Sequence, residues 1–166
     1  MRHYVILAVA LAATLAAGGC AKKAPKDLPP PPVCCEPEDE GRIVPGSQQD
    51  FLANVSSDRI YFDYDQFNID AEDMAALQSQ AAWLTRSSDV RVTLEGHADE
   101  RGTRDYNIAL GERRANAAKN YLVSLGVDPG RIDVISYGKE RPAVLGSNEA
   151  AYAQNRRAVT VVIGRR

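Results

Sequence analysis

The stretch that most constrains the fold lies at residues 90–125 and reads VRVTLEGHADERGTRDYNIALGERRANAAKNYLVSL. Its first six residues alternate apolar and polar side chains, which predicts a strand with one face in the core. A polar loop follows, and residues 104–125 then carry apolar side chains at helical spacing. Such a strand and helix are half of a crossover unit. The rest of the chain must therefore supply a sheet for the strand and a core for the helix.

Three further segments have the alternating or β-branched pattern of strands, at residues 59–63, 132–137 and 158–163. Helical patterns separate the strands, with a short one at residues 147–155. The predicted order of elements is βαβαβ(α)β. This order predicts an α/β (α+β) two-layer sandwich, in which helices cover one face of a mixed sheet. Consecutive crossovers are expected to join parallel neighbouring strands.

The helix before the 90–95 strand is predicted to begin after Asp70, whose side chain can cap its first turn. Ile69 and Met74 would form a hydrophobic staple across that cap. The long helix that follows is predicted to end at Gly126 in a left-handed conformation. The buried face of the first of these helices is predicted to comprise Met74, Leu77, Ala81 and Leu84.

Residues 1–19 have the pattern of a secretory signal peptide: Arg2, then the apolar run YVILAVALAATLAA, then small residues. The run is shorter than the roughly 20 apolar residues that span a bilayer. The sequence AGGC, which ends at Cys20, resembles the lipobox of bacterial lipoproteins, where the Cys receives the lipid anchor. The other interpretation is an ordinary export signal followed by an unrelated Cys. Because Ala21 and not Asp follows Cys20, the resemblance implies the outer membrane.

Residues 20–50 are predicted to be a lipidated Cys and a disordered tether, and residues 51–166 the folded domain. Seven of the nine prolines lie before residue 46, a composition that favours extended conformations over a packed core. All three cysteines precede residue 36, so the predicted domain has no disulfide, Cys nucleophile or Cys metal site. Cys34 and Cys35 have two interpretations, intermolecular disulfides or incidental residues of the tether.

Arg114 interrupts the apolar stripe of the long helix, four residues after Leu110 and four before Ala118. Arg113 points about 100° away, toward solvent. A charge on a packing face is costly unless it is paired, and Asp99, in the loop before the helix, is the nearest candidate partner. The other candidates are Glu100, Asp105 and Glu112.

Two interpretations of Asp99 and Arg114 are equally open at this point, a structural ion pair and a ligand site. The position of Asp99 favours the second, because ligands of α/β sheets bind at the carboxyl ends of strands. Gly102 would let the loop approach a ligand closely. An anion and a cation on adjacent elements suit a zwitterionic ligand.

Glu95, His97 and Asp99 lie at alternate positions, which could direct three metal-binding groups one way. A metal-dependent hydrolase that uses these three residues is therefore the alternative function. However, a single His among mixed ligands is a poor zinc site, and no nucleophile elbow accompanies His97. We expect no enzyme activity and neither metal nor other cofactor. The net charge of −2 also gives no reason to expect nucleic acid as a partner.

The segment EGHADERGTRDYNIALGERRANAAKNYL resembles the central motif of the OmpA-like C-terminal domain family, whose members bind peptidoglycan. The segments IYFDYD, SYGKERPAVLG and AYAQNRRAV extend the resemblance to about residues 54–163. It implies a ligand, the diaminopimelate of the stem peptide, which Asp99 and Arg114 would bind. If the resemblance supplies the substrate, the alternative function becomes a metal-dependent cell-wall hydrolase that uses Glu95, His97 and Asp99. A third hypothesis, a purely structural interaction protein, predicts that Asp99 and Arg114 point at each other with no open cleft.

The resemblance also implies roles for the residues around that pair. Asn107 and Leu110 are expected to shape the pocket, and the loop after the first strand would contribute Asp65. The expected supporting residues are Phe62, Tyr64, Gly102, Asn155, Arg156 and Arg157.

The function implied by the resemblance is mechanical. A lipid on Cys20 would hold one end in the outer membrane, with the domain facing the periplasm and gripping the cell wall. The family's lipoproteins belong to the Tol system, which acts in envelope integrity and cell division, and the resemblance implies its β-propeller protein, TolB, as a second partner.

Overall fold

The computed structural model describes residues 43–165. The strands form where apolar and polar side chains alternate, and the helices form where apolar side chains recur on one face. In chain order the elements are α1 Gln48–Asn54, β1 Arg59–Tyr61, α2 Ala71–Arg86, β2 Val90–His97, α3 Arg104–Ser124, a 3-10 turn Pro129–Arg131, β3 Ile132–Gly138, α4 Glu149–Asn155 and β4 Arg157–Arg165.

The four strands form one mixed sheet in the order β1-β4-β2-β3. β2 and β3 are parallel, with Leu94 opposite Val134. β4 runs antiparallel to both β1 and β2, so it lies between them. The predicted mixed sheet is confirmed, and so is the parallel pairing of β2 with β3. The expectation that β1 and β2 are neighbours is wrong, because the last strand of the chain is inserted between them.

Helices α2 and α3 pack against the face of the sheet that carries the inward residues of β2. Helix α1 was not predicted from the sequence. Its Phe51 fills the end of this core and packs edge-on against Trp83, with ring centroids 5.1 Å apart. Burying one such large apolar side chain contributes about 1.5–3 kcal/mol. Buried core residues include Ile60, Leu77, Leu84, Val90, Val92, Leu94, Ala115, Ala118, Leu122, Ile132 and Ala158.

Side-chain and glycine caps fix the helix ends. The Asp70 carboxylate accepts a hydrogen bond from the amide of Asp73 at 2.8 Å, as a cap for α2. Gly126 has φ +95°, and the amide of Val127 donates to the carbonyl of Leu122 at 3.2 Å. This is the left-handed end predicted for α3.

Two predictions about helix faces are wrong. Met74, assigned to the buried face of α2, is 38% exposed, whereas Ala76 of the same helix is buried. Leu125, predicted as the last apolar residue of α3, is also 38% exposed, because the helix has already ended at Ser124. Periodicity alone locates a helix better than it locates the edges of its buried stripe.

The predicted signal peptide, the lipidated Cys20 and most of the predicted tether, with Cys34 and Cys35, lie outside the described residues. Within residues 43–165, no helix is both long and apolar enough to cross a membrane.

Candidate functional site

A cavity of about 150 Å³ opens where β2 ends and α3 begins. The loop between these elements forms one wall, the first half of α3 a second, and the loop after β1 a third. Asp99 and Arg114 both face this cavity. The residues that line it are Tyr64, Asp65, Asp99, Arg101, Gly102, Tyr106, Asn107, Leu110 and Arg114.

Arg114 is fully buried, although it carries a charge. Its guanidinium donates to three backbone carbonyls, those of Gln66 at 2.8 Å, His97 at 2.8 Å and Asp63 at 3.1 Å. The expectation of a carboxylate partner is therefore wrong: neither Asp99 nor any of the other three candidates forms an ion pair with it. Carbonyl oxygens accept from three of its donors without neutralising its charge.

The environment of Arg114 lowers its pKa to about 10, chiefly through burial and then through the nearby charge of Arg156. The group still carries its proton at neutral pH. Beneath it, the ring of Phe62 lies 5.2 Å from the guanidinium carbon, which adds a cation–π contact. A guanidinium has five N–H donors, and three of them donate to the carbonyls of described residues. The cavity thus contains a buried cation, Arg114, with two N–H donors that can still bind a ligand.

Asp99 is also buried, and two arginines surround its carboxylate. Arg101 donates from Nη2 to Oδ2 at 2.5 Å and from Nε to Oδ1 at 3.2 Å. Nη1 of Arg156 lies 3.6 Å from Oδ2. Burial raises the pKa of Asp99, but the hydrogen bonds from Arg101 and the two positive charges outweigh it and leave the pKa below its ordinary value. The carboxylate is therefore ionised at neutral pH.

Asp65 provides a second carboxylate on the opposite wall. Its backbone has φ +57°, a conformation rare for residues other than glycine, asparagine and aspartate. The Tyr106 hydroxyl donates to this carboxylate, so α3 and the loop after β1 meet across the cavity. Tyr64, beside Asp65, is 61% exposed and forms the rim.

Asn107 and Leu110 line the floor on successive turns of α3. Both are buried, and the side-chain amide of Asn107 donates from Nδ2 to the backbone carbonyl of Arg101 at 2.8 Å. Gly102, with φ +90°, makes the turn into the helix. These residues hold the loop that carries Asp99 against the helix that carries Arg114.

The three consecutive residues Asn155, Arg156 and Arg157 stand behind the cavity and do not line it. Arg156 donates to the carbonyl of Phe62 at 2.9 Å and to Glu149 at 2.7 Å, which ties the loop after β1 to α4. Asn155 accepts from the amides of residues 143 and 144. Arg157 donates to the carbonyl of residue 141. All three brace loops around the site.

His97 does not complete a metal site. Its side chain is only 2% exposed, and Nε2 lies 3.7 Å from a carboxylate oxygen of Glu95. Burial, together with the charges of Arg157 and Arg141, lowers its pKa to about 4. Asp99 instead faces Arg101. Within residues 43–165, no group of three or more His, Cys, Asp or Glu side chains is placed to hold a metal ion.

A larger hollow, of about 480 Å³, lies on the other side of the loop after β1. It is bounded by Phe62 and Arg156 and includes Asp63 and Asp70. The charge pair that suits a zwitterion, Asp99 and Arg114, lines only the smaller cavity. The smaller cavity is therefore the candidate site, because it holds the pair predicted from the sequence.

Three residues of the site were not predicted from the sequence: Arg101, Tyr106 and Tyr152. Tyr152 places its ring 4.4 Å from the guanidinium carbon of Arg101, and Tyr64 places its own at 4.2 Å on the same group. Arg101 lies two residues after Asp99, which is the spacing of a local side-chain pair. Tyr152 comes from α4, far along the chain, and no local sequence pattern predicts its contact with Arg101.

The model of the OmpA family matches residues 61–156, a range that includes every residue lining the cavity. The chain belongs to the OmpA family. A relative from Rhizobium meliloti (strain 1021), named peptidoglycan-associated lipoprotein, is 51% identical over 156 residues, which cover 94% of this chain and 86% of the relative.

Two solved structures share this fold. The peptidoglycan-associated lipoprotein of Burkholderia pseudomallei is 40% identical and superposes with a TM-score of 0.63 over 68% of this chain and 92% of its own. The C-terminal domain of Helicobacter pylori MotB has a TM-score of 0.61 over 66% of this chain and 86% of its own. At 19% identity, this second likeness is one of fold alone.

Proposed function

We propose that the domain binds peptidoglycan by gripping the zwitterionic end of diaminopimelate in an un-crosslinked stem peptide. The observation that carries this proposal is that Asp99 and Arg114 line one cavity without pairing to each other. A purely structural ion pair, by contrast, would close the space between them. Arg114 takes the carboxylate of the ligand, and Asp99 takes the ammonium on the same carbon, with Asp65 close by.

The strength of this binding depends on the burial of Asp99 and Arg114. Charge-assisted hydrogen bonds contribute on the order of 1.5–3 kcal/mol each, and Arg offers a carboxylate two parallel donors. A cross-linked stem has an amide in place of the ammonium and so loses its attraction to Asp99. The site should therefore select free stem ends. The proposal is a binding site and not an active site: Asp99 is paired with cations, and no Ser, Thr, Cys or Lys is among the described residues that line the cavity.

The wider role follows if the N-terminus is anchored. Cys20 in AGGC and the name of the 51% identical relative support an outer-membrane lipoprotein whose domain faces the periplasm. Such a chain links the outer membrane to the cell wall without a covalent bond to the wall. We include a TolB-like β-propeller protein of the Tol system as a second partner, as in the family's lipoproteins, and with it a role in cell division.

Sedimentation with purified sacculi tests the wall-binding proposal. Asp99→Asn and Arg114→Gln should leave the domain in the supernatant, whereas Arg104→Gln, an exposed arginine paired with Glu140, should sediment like the wild type. Circular dichroism and thermal unfolding identify variants that have lost the fold. Normal sedimentation of folded Asp99→Asn and Arg114→Gln would refute the assignment of the pocket.

Two further measurements test the anchor and the partner. Mass spectrometry of the mature N-terminus should find acyl groups on Cys20 and none in Cys20→Ser. A TolB-like protein should be retained by the immobilised domain. Retention that is absent in the wild-type protein would remove this partner from the proposal while leaving peptidoglycan binding intact.

A further inference from the structure

The cation that Asp99 holds is supplied by the protein itself. Arg101 donates to both carboxylate oxygens, at 2.5 and 3.2 Å, from two different nitrogens. Its own amide adds a third bond to Oδ1 at 3.1 Å. With Arg156 3.6 Å away, both oxygens already have donors. An ammonium that approaches Asp99 meets a carboxylate that already accepts three hydrogen bonds, all from Arg101.

The backbone of Arg101 is fixed at both ends, and only its side chain is free to turn. The amide donates to Asp99, and the carbonyl accepts from the buried Asn107 side chain at 2.8 Å. The side chain, by contrast, is 35% exposed at the mouth of the cavity. A change at Arg101 would therefore be a change of side-chain rotamer, with the loop that carries Asp99 left in place.

Other groups contact the same guanidinium while it is paired with Asp99. The rings of Tyr64 and Tyr152 lie on the group at 4.2 and 4.4 Å, and a carboxylate oxygen of Glu149 lies 3.5 Å from Nη1. None of these contacts involves Asp99, so stacking and the exposed Glu149 carboxylate can still hold Arg101 once its pair with Asp99 is broken. The arginine need not be transferred to bulk water.

We propose that Arg101 competes with the ammonium of the ligand for Asp99. The Arg101 guanidinium must leave Asp99 before Asp99 and Arg114 can bind the two charged groups of the ligand together. The inference rests on the proposed binding of a zwitterionic stem end at this site. Arg101 weakens the grip, because each binding event breaks a bidentate ion pair. It also narrows the preference for the free amine over the acetylated one, since a ligand with a carboxylate alone can reach Arg114 without moving Arg101.

Titration calorimetry with a diaminopimelate-containing stem peptide, and with the same peptide acetylated on the free amine, tests this. Arg101→Gln should bind the free-amine peptide roughly three- to tenfold more tightly than the wild type. Its affinity for the acetylated peptide should stay within about twofold. Arg101→Lys, which keeps the charge but not the bidentate fork, should lie between. Arg104→Gln is the matched control for loss of one positive charge near the cavity.

Several outcomes overturn the proposal. Weaker binding of the free-amine peptide by Arg101→Gln would make Arg101 a direct ligand contact, and unchanged binding would show that it does not compete. Binding that is absent already in the wild type would remove the proposed function as well, and so is distinguishable from either result.

A measurement on the wild-type side chain gives an independent test. In the NMR spectrum of the free protein, the Nε–H of Arg101 should exchange slowly, since it donates to Asp99. Saturation with the free-amine peptide should shift this signal and speed its exchange, and saturation with the acetylated peptide should not. A signal unchanged by the free-amine peptide would contradict displacement, whatever the affinities of the variants.

Discussion

The backbones of Gly96 on β2 and Gly111 on α3 are in direct contact. A Cβ built on Gly96 would lie 1.8 Å from the carbonyl oxygen of Gly111, and one built on Gly111 would lie 2.8 Å from the carbonyl oxygen of Gly96. The two glycines thus set the closest approach of the helix to the sheet. His97 and Arg114 follow them by one residue and by three, and the guanidinium reaches the His97 carbonyl at 2.8 Å. How deeply the Arg114 side chain is buried therefore depends on the contact between the two glycines.

Gly96→Ala should therefore damage both stability and the site. The added methyl group meets backbone, which cannot rotate away, so we expect a loss of at least about 3 kcal/mol in the free energy of unfolding. Urea denaturation measures it. Gly126→Ala is the control, because its φ is +95° but its Cβ meets nothing within 4 Å. It should cost only about 1–2 kcal/mol. Equal losses in the two variants would contradict a steric role for Gly96.

Local patterns predicted much of this fold. The alternation in β2, the Asp70 cap of α2 and the glycine that ends α3 each depend on neighbours within a few residues. Periodicity likewise separated Arg114, fully buried, from the exposed Arg113. Such features follow from strand and helix geometry and need no knowledge of the rest of the molecule.

These local patterns could not predict which residues pair across long distances in the sequence. β4 lies between β1 and β2, and the order of elements along the chain does not specify that insertion. The partners of Arg114 are carbonyls of residues 63, 66 and 97, and every residue has a carbonyl. The contact between Gly96 and Gly111 is similar: each glycine alone is unremarkable in the sequence, and only the packed helix pairs them.

The carbonyl partners of Arg114 predict a stability effect apart from ligand binding. Arg114→Lys keeps the charge, but a single ammonium on a flexible stem cannot reach three carbonyls on separate segments. We expect a loss of about 1–3 kcal/mol in the free energy of unfolding without any ligand. Arg113→Lys, on the exposed side of α3, is the matched control and should stay within about 0.5 kcal/mol. A harmless Arg114→Lys would mean that water replaces the lost donors.

Asp73 predicts an unusual pH dependence. It is 7% exposed, and one oxygen accepts from the amide of Tyr61 at 3.0 Å, while the other has no partner among the described residues. Burial raises its pKa to about 6. Because the folded state then binds the proton more tightly than the unfolded chain, this group adds stability as the pH falls through 6 toward 4.

Asp73→Asn isolates that contribution. Unfolding free energies of both proteins should be measured between pH 7.5 and 4.5, in steps of about half a unit. The difference between wild type and variant should shift in favour of the wild type by about 1–3 kcal/mol toward the acid end. A difference that does not depend on pH would contradict the raised pKa.

His97 should behave in the opposite sense. Burial and two arginine charges lower its pKa to about 4, so the unfolded chain binds a proton there more readily than the folded state. Stability from this group is present above about pH 6.5 and is lost as the pH falls toward 4. The sequence has only two histidines, so ring signals in NMR are readily assigned. The His97 signal should not move between pH 8 and 5, and a midpoint near 6.5 would contradict its burial.

Asp65 offers a test of the second carboxylate in the cavity. Asp65→Asn removes the charge but suits φ +57°, since asparagine is tolerated in that conformation. Its amide oxygen can still accept from Tyr106, so the free energy of unfolding should change by less than about 0.5 kcal/mol. Affinity for the free-amine stem peptide should fall roughly three- to tenfold, and less than in Asp99→Asn, because Asp65 lies farther toward the rim.

Asp63→Asn is the matched control for that experiment. Asp63 is exposed and contributes to the cavity only the backbone carbonyl that Arg114 uses, so loss of its charge should leave the affinity within about twofold of wild type. If Asp63→Asn and Asp65→Asn weaken binding equally, the effect is one of overall charge. If Asp65→Asn binds like the wild type, Asp65 positions Tyr106 and the ammonium interacts with Asp99 alone. Only a selective loss in Asp65→Asn supports two carboxylates around one ammonium.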